Sequence, residues 1–287
     1  MTVAQWLDLW YDTYVARSRE LAPSTKACHR RAVNAVPPWL ADAPLDEPLL
    51  SLQLCRWLSD VAEKHPRAAQ LDHCMLSMAL RTAGKLDLCS HASWDKDLVP
   101  KPYNRPKQAL IFDAAQCRVY IRAAHASDVY PLLMLCLCGL RRGEALGTRW
   151  QDLHGDTLQL MRQRQRIGGE YATRALKSEK SCRSLVLPSW LLAELETWPR
   201  TLAGWIVDTT PEHLHREHRG IIQAEQLPAV TLHGLRHTFA TLAASQGIDM
   251  KHLQVALGHS KMALTSDLYA DHLSPLSALP SLVWQAF

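Results

Sequence analysis

The chain has 287 residues, a formal net charge of +4 and 47% hydrophobic residues. This length suits two domains, and this hydrophobic content can form a core in each, which excludes wholesale disorder. The sequence contains no apolar run long enough to span a membrane and no basic region ahead of an apolar stretch at its N-terminus. We therefore expect no membrane span, no signal peptide and a cytoplasmic location.

The first part of the chain predicts a small all-α domain over residues 1–95. Apolar side chains recur at helical spacing, and proline or capping residues separate the segments. The four predicted helices cover residues 3–17, 24–36, 48–64 and 67–83, and the spacing in the first helix places Tyr14 on the same apolar face as Trp10. Gly84 is predicted to be the C-cap of the last helix.

Residues 96–108 are predicted to be a basic linker between domains. Their three prolines favour an extended backbone, because proline disfavours a helical conformation in the residue before it. The basic residues between the prolines suit a segment that runs along a phosphate backbone, although a solvated linker fits equally well. They are Lys101, Arg105 and Lys107.

Residues 109–287 predict a mixed α+β domain. A buried helix (VYPLLMLCLC) leads to Gly139, and alternating residues after Trp150 predict strands. Gly168-Gly169 predicts a turn, followed by strands in EYATRALK and RSLVLP. We therefore predict a mainly α fold with one small antiparallel sheet of three strands.

The predicted sheet carries the basic charge of the chain. Residues 161–187 contain seven Lys and Arg against two Glu, an excess of +5 that is larger than the net charge of the whole chain. Basic charge concentrated on one element is typical of a protein that binds a polyanion.

Metal-binding patterns are weak in this sequence. The eight cysteines are scattered singly and form no Cys-x-x-Cys pair, so a structural zinc site is not supported. His213, His215 and His218 form a histidine-rich segment, PEHLHREH. We interpret it as a solvated helix face rather than a metal site, since no carboxylate or thiolate completes the spacing.

Four residues have the chemistry that phosphodiester cleavage without a metal requires. The phosphate gains negative charge during the reaction, which guanidinium groups such as Arg141 and Arg236 neutralise well. A nucleophile and a proton donor for the leaving oxygen are also needed, and Tyr269 and Lys177 offer these. Each of these residues alone is also consistent with an ordinary surface side chain. Lys180 is close to Lys177 and chemically equivalent to it. No cluster of Asp and Glu suited to two metal ions is evident.

Together these residues resemble the tyrosine recombinases, or phage integrases. GLRRGEAL at 139–146, followed by Trp150 and Asp152, is similar to the first conserved box of that family. HGLRHTFAT at 233–241, LGHS at 257–260 and SDLYADH at 266–272 are similar to the second box, in the same order. KSEKSCRSLVLP lies between the boxes, where the family has its lysine. The resemblance covers roughly residues 108–273.

The resemblance implies a role for each matching residue. Arg141 and Arg236 would bind the scissile phosphate, and His233 and His259 would assist as acid/base or phosphate ligands. Lys177 would protonate the 5′ leaving oxygen, and Tyr269 would attack to form a 3′-phosphotyrosine. Glu144 would support the arginine and the histidine.

The resemblance also implies a site-specific recombinase that needs no cofactor, metal or ATP. Its expected partners are double-stranded DNA, three further copies of the chain in a homotetramer, and DNA-bending accessory proteins. The C-terminal tail would dock on a neighbouring protomer or on its own domain. Residues predicted to contact DNA are Lys26, Arg30, Arg31, Lys101, Arg105, Lys107, Arg162, Arg164, Arg166, Arg174, Lys180 and Arg183.

Two other functions remain open from the sequence. FATLAASQGIDMKHLQVALGHS also fits a helix-turn-helix regulator that binds DNA without chemistry. A type IB topoisomerase-like enzyme would use a similar set of residues to relax DNA. A regulator has no need of Tyr269 together with Arg141 and Lys177, and the short chain disfavours a topoisomerase.

Overall fold

The computed structural model describes residues 1–89, 94, 97–103, 109–167, 169–176, 182–248, 253, 257 and 284. The chain forms two compact units, Met1–Lys107 and Gln108–Phe287. None of the helices in the described part of the chain has both the length and the apolar character to cross a bilayer.

The first unit is helical over its described residues. Its helices are α1 (Val3–Trp10), α2 (Pro23–Asn34), α3 (Pro38–Ala41), α4 (Leu50–Lys64) and α5 (Pro66–Lys85), and a π-helical turn (Tyr11–Ala16) follows α1. The indole N–H of Trp6 donates to the Ala79 carbonyl at 3.0 Å, which ties α1 to α5 inside the core. Prolines at the first turns of α2, α3 and α5 mark the starts of these helices.

The π-helical turn changes which side chain of the first helix is buried. The helical spacing predicted that Tyr14 would share the apolar face with Trp10, but Tyr14 is 48% exposed and Val15 is buried. A π-helical turn has more residues than an α-helical turn, so the apolar face moves by one position. The prediction for Tyr14 was therefore wrong.

The C-terminal end of α5 and the start of the predicted linker also differ from the sequence prediction. Gly84 is buried inside the last turn of α5 rather than capping it, and Leu86 is the C-cap. Val99 is buried in the core of the first unit, and its carbonyl lies 2.9 Å from His73 Nε2. Residues 97–103 therefore belong to the first unit rather than to a separate linker, because they bury apolar surface against α5.

The second unit combines helices with two small antiparallel sheets. Its elements are α6 (Ala114–Ala124), α7 (Tyr130–Leu137), α8 (Arg142–Leu146), β1 (Leu153–His154), β2 (Thr157–Leu160), β3 (Arg162–Ile167), β4 (Glu170–Ala175), β5 (Arg183–Val186), α9 (Ser189–Thr197), α10 (Pro211–Ala224) and α11 (Leu232–Ser245). The strand order is β1-β2-β5 in one sheet and β3-β4 in the other. The single three-stranded sheet predicted from the sequence was therefore wrong.

The break between the two sheets falls at Met161, which lies between β2 and β3. Leu158 and Leu160 on β2 are buried in the core, whereas the arginines of β3 extend into a separate hairpin with β4. The basic excess therefore lies mostly on a two-stranded hairpin outside the core sheet.

Helix α7 is the centre of the second unit, since all eight of its residues are buried. It packs against α11, α9 and α8, and the chain turns at Gly139 immediately after it. Gly139 has a φ of +97°, and an added Cβ would lie 2.9 Å from both Leu257 Cδ2 and Phe239 Cδ1. Only glycine fits this turn without strain. The turn sets the position of α8 and of the residues that follow it.

We predict that Gly139→Ala lowers the free energy of unfolding by about 2 kcal/mol or more, from backbone strain and steric overlap together. Gly155→Ala is the matched control, because Gly155 also has a positive φ (+61°) but would place its Cβ in open space. Urea unfolding of the full chain measures both variants. If both variants lose the same free energy of unfolding, close packing at Gly139 does not contribute to stability.

Candidate active site

Arg141 and Glu144 are brought together by the first turn of α8. Arg141 is the N-cap residue, and its backbone N–H donates to Glu144 Oε2 at 2.9 Å. Its Nη1 donates to Glu144 Oε1 at 2.6 Å. The Glu144 side chain is 1% exposed and that of Arg141 is 35% exposed. Arg141 is therefore held by a buried carboxylate and still reaches the surface.

Arg183 on β5 is the second arginine on this carboxylate. Its Nη2 lies 2.8 Å from Glu144 Oε2 and its Nη1 lies 3.2 Å from Oε1, a bidentate pair. Its side chain is only 7% exposed. The sequence prediction had assigned Arg183 to the DNA contacts rather than to the catalytic cluster.

The strand pattern contains a signal for this position. Arg183 shares its strand face with Leu185 and Leu187, both buried in the core, because alternate residues of a strand face the same side. An arginine on a buried face needs a carboxylate partner. The sequence could therefore have predicted a buried ion pair here, although not with which acid.

Arg236 on α11 is the third arginine of the cluster and is almost fully buried. Its Nη1 donates to the Gly139 carbonyl at 2.8 Å and lies 3.7 Å from Glu144 Oε2. Its Nη2 donates to the Leu257 carbonyl. Its Nε is buried and has no hydrogen-bond partner among the described residues, which leaves a donor for a bound anion.

The charges of this cluster help to lower the pKa values of both Glu144 and Arg236. Burial raises the pKa of Glu144, but Arg183 and then Arg141 outweigh burial and lower it to about 2. Burial, followed by the nearby charges of Arg141 and Arg183, lowers the pKa of Arg236 to about 9. The cluster therefore has an excess of positive charge that a phosphate would stabilise.

His233 lies one turn ahead of Arg236 at the start of α11. Its ring packs edge-on against His237, with 4.7 Å between the centroids. Partial desolvation and then the positive neighbours, His237 first, lower the pKa of His233. His233 is therefore neutral at pH 7 and able to accept a proton. His237, which is not among the residues predicted for the site, therefore contacts the predicted acid/base residue.

A buried hydrogen-bond chain holds the start of α11 in place. His218 on α10 has Nε2 at 2.9 Å from the Val230 carbonyl and Nδ1 at 2.8 Å from the Tyr120 hydroxyl. A carbonyl only accepts, so Nε2 donates, and Nδ1 of the neutral ring accepts from tyrosine. Burial lowers the pKa of His218 to about 4. The prediction that this histidine lies on a solvated face was wrong.

Several predicted residues lie outside the described residues. They are Lys177, His259, Tyr269, Arg105, Lys107 and Lys180. The structure does describe the residues on either side of segment 177–181. The Leu176 N–H donates to the Met161 carbonyl at 3.2 Å, and Arg183 pairs with Leu160. Leu176 and Arg183, which flank 177–181 in sequence, therefore contact adjacent residues, Met161 and Leu160.

The arginines predicted to bind DNA on β3 have carboxylate partners within the second unit. Arg162 pairs with Asp152, Arg164 with Asp208 and Arg166 with Glu212. Arg174 on β4 pairs with Gln163 on β3 and is exposed. It therefore lies on the opposite face of the hairpin from Arg162, Arg164 and Arg166. The intramolecular pairs reduce the net positive charge that the hairpin presents to a polyanion.

The basic residues of α2 are also engaged within the first unit. Arg30 pairs with Asp8 and Asp12 and stacks on the Tyr11 ring at 3.8 Å. Arg31 pairs with the buried carboxylate of Asp72, and Lys26 Nζ donates to the Ala16 carbonyl. Lys101 is exposed. These contacts orient α2, and DNA binding by its basic residues stays a prediction.

The histidine-rich helix α10 does meet carboxylates in three dimensions. Ligand atoms of Asp128, His213 and Glu217 lie within 4.8 Å of one another. His213 Nε2 is 2.9 Å from Asp128, whereas its Nδ1 faces Glu217 at 3.9 Å and Arg216. The two carboxylates face opposite ring nitrogens, so the trio forms a hydrogen-bonded contact between α10 and the turn before α7.

Comparison with known proteins supports the sequence resemblance. The family model described as "Phage integrase family" matches residues 207–274. A protein named "Tyrosine recombinase XerC-like" from Caldanaerobacter subterraneus subsp. tengcongensis is 26% identical over 170 residues, which cover 48% of this chain and 43% of that protein. The chain spans less than two thirds of the length of the first curated relatives it matches.

Solved structures share the fold. The Tn1549 transposon integrase in complex with a circular intermediate DNA superposes with a TM-score of 0.74 at 20% identity, over 91% of this chain and 92% of that one. A lambda integrase tetramer bound to a Holliday junction superposes with a TM-score of 0.69 at 18% identity, over 93% of this chain and 80% of that one. These likenesses confirm the predicted mainly α fold class.

The matched segment contains α11 with His233 and Arg236, and the first box supplies Arg141 and Glu144 beside them. The order of the boxes, the family match and the shared fold agree. The chain therefore resembles the phage integrase family of tyrosine recombinases in its motifs and in the matched segment 207–274, and it shares the fold of the solved integrases.

Proposed function

We propose that this protein is a site-specific DNA recombinase that cleaves and rejoins strands through a covalent 3′-phosphotyrosine, without metal or ATP. The observation that carries the proposal is the cluster of three arginines on one buried carboxylate. Three guanidinium groups and one carboxylate leave a charge of +2 in a largely dry site. A scissile phosphodiester has one negative charge, and its transition state has two.

Arg141 and Arg236 have the donors that such a phosphate needs. Arg141 lies at the surface edge of the cluster, and the buried Nε of Arg236 has no hydrogen-bond partner among the described residues. Planar guanidinium groups match the geometry of phosphate oxygens and keep their charge. Phosphate binding would also restore the pKa of Arg236, because an anion stabilises its charged form.

The reaction then follows from the roles proposed for the other residues. The Tyr269 oxygen forms a bond to phosphorus, and the bond from phosphorus to the 5′ oxygen breaks. Lys177 gives a proton to that oxygen, and neutral His233 accepts the tyrosine proton or binds the phosphate together with His259. Religation reverses these steps on a new 5′ hydroxyl.

The partners are proposed from the same chemistry. Double-stranded DNA is the substrate, and four copies of the chain would act on two paired sites with help from DNA-bending proteins. The lambda integrase structure is a tetramer on a Holliday junction, which supports this assembly. We propose that the first unit, predicted as residues 1–95, is the core-binding domain and that 96–108 leads into the catalytic domain. A cytoplasmic location fits this substrate.

We predict that the wild-type protein forms a covalent adduct, stable in SDS, on a nicked suicide substrate that carries its recombination site. Tyr269→Phe removes the nucleophilic oxygen and should form no adduct while it binds the same DNA in a gel-shift assay. An undiminished adduct in this variant would exclude Tyr269 as the nucleophile. Relaxation of supercoiled DNA without strand exchange would favour a topoisomerase instead.

We predict that Arg141→Ala lowers the rate of adduct formation by about 100-fold or more, since it removes a donor to the developing charge. DNA affinity should fall only modestly, because a site of this size includes many other phosphate contacts. Arg142→Ala is the matched control, as Arg142 is the next residue, exposed, and has no ion pair with Glu144 among the described contacts. Equal losses in the two variants would contradict the assignment.

A further inference from the structure

Arg183 forms the main link between the core sheet and the phosphate cluster. It opens β5, where it pairs with Leu160 of β2, and its guanidinium reaches Glu144 on α8. Arg141 is only three residues from Glu144, so their contact is local. The contact from Arg183 joins residues that are 39 positions apart.

The Glu144 carboxylate has no capacity left for solvent. Its Oε1 accepts from Arg141 Nη1 and Arg183 Nη1, and its Oε2 accepts from the Arg141 backbone and Arg183 Nη2. Both oxygens therefore have two donors each. Removal of Arg183 would leave a buried anion with half of these donors, which strongly destabilises the charged form.

Arg183 supports the negative charge of Glu144 more than Arg141 does. Burial raises the pKa of Glu144, and the largest opposing contribution is the hydrogen bond and charge of Arg183. The charged groups that face Glu144 are Arg141 from its own helix, Arg183 from β5 and Arg236 from α11. Glu144 can orient two phosphate-binding arginines only while it stays ionised.

The position of Arg183 in the chain adds a second connection. Segment 177–181, which contains the predicted general acid, ends two residues before Arg183. Helix α8 packs closely on the neighbouring strand, since a Cβ at Gly147 would lie 3.0 Å from the Arg162 carbonyl. The ion pair joins β5, the strand that follows this segment in sequence, to the helix that presents Arg141.

We propose that Arg183 is a positioning residue of the recombination reaction: its bidentate pair with Glu144 holds the carboxylate that orients Arg141 and Arg236, and it couples the strand after Lys177 to the phosphate site. This proposal rests on the proposed function. It replaces the sequence prediction that Arg183 contacts DNA, because a side chain 7% exposed and paired at both Nη atoms is not a phosphate contact on the protein surface.

Single-turnover cleavage of the nicked substrate tests the proposal. Arg183→Gln should lower the rate of adduct formation on the order of 100-fold, because misplaced groups at a reacting centre have effects of that size. The Kd for the same DNA should change by less than about twofold. Its salt dependence should stay the same, whereas loss of one phosphate contact lowers the slope by about 0.9.

Two further variants separate positioning from folding. Arg183→Lys keeps the charge but loses the bidentate geometry, so it should restore part of the rate. Arg149→Gln is the control for a structural arginine of the same unit, since Arg149 stacks on Trp205 at 4.1 Å, away from Glu144. It should lower stability and leave the rate within about threefold, well short of the loss from misplacement. A rate loss in Arg149→Gln equal to that in Arg183→Gln would overturn the proposal.

A comparison with Glu144→Gln tests the coupling directly. If Arg183 acts through Glu144, the double variant should be little slower than either single variant, since residues that act as a unit are not additive. Rate losses that multiply would assign Arg183 an independent role. A fall in DNA affinity and in salt slope would assign it to DNA binding.

Acid unfolding gives a readout that does not depend on catalysis. The lowered pKa of Glu144 contributes stability that is complete above the unfolded pKa, near 4.5, and is lost as the pH falls towards 2. Arg183→Gln should move this loss to higher pH by about one pH unit. The shift should vanish in the Glu144→Gln background. If the wild type forms no adduct, the proposed function is refuted but the pairing of Arg183 with Glu144 is not. If the acid transition does not shift in Arg183→Gln, the pairing is refuted.

Discussion

The buried carboxylate of Glu144 is the constraint on which the candidate site depends. One carboxylate with two donors on each oxygen gathers arginines from α8, β5 and α11, which would otherwise repel one another. A buried carboxylate without partners would strongly destabilise the fold. The arrangement in which all three arginines approach Glu144 is therefore favoured over alternatives that leave it unpaired. The cluster keeps an excess of positive charge, and the proposed recombination chemistry uses that charge to bind a phosphate.

The helical framework holds this cluster from two sides. Gly139 turns the chain sharply after the buried helix α7, and its carbonyl accepts from Arg236. On the other side, His218 joins α10 to Val230, just before α11 begins. Both contacts lie in the core, where close packing limits movement. The arginines proposed to bind phosphate are therefore positioned by rigid elements, whereas Lys177, His259 and Tyr269 come from other segments of the chain.

Basic charge in the sequence and basic surface in the structure are different quantities here. The segment 161–187 has an excess of +5, yet Arg162, Arg164 and Arg166 each have a carboxylate partner in the same unit. The partners of Arg164 and Arg166 are more than 40 residues away in sequence, so no local window reveals them. The exposed pairs contribute little stability individually, but they orient the hairpin. Charge patterning along the sequence therefore does not show which of these arginines already have carboxylate partners.

The sequence by itself determined the fold class, the resemblance to the phage integrases and the order of the matching motifs, because these depend on local periodicity and on motifs with fixed spacing. It also identified Arg141, Glu144, His233 and Arg236, which the structure brings together. Only the tertiary structure decided that Arg183 joins them, that His237 packs on His233 and that His218 is buried. It also divided the predicted sheet at Met161. The physical reason is that burial and ion pairing join residues far apart in sequence, whereas periodicity reports only on neighbours along the chain.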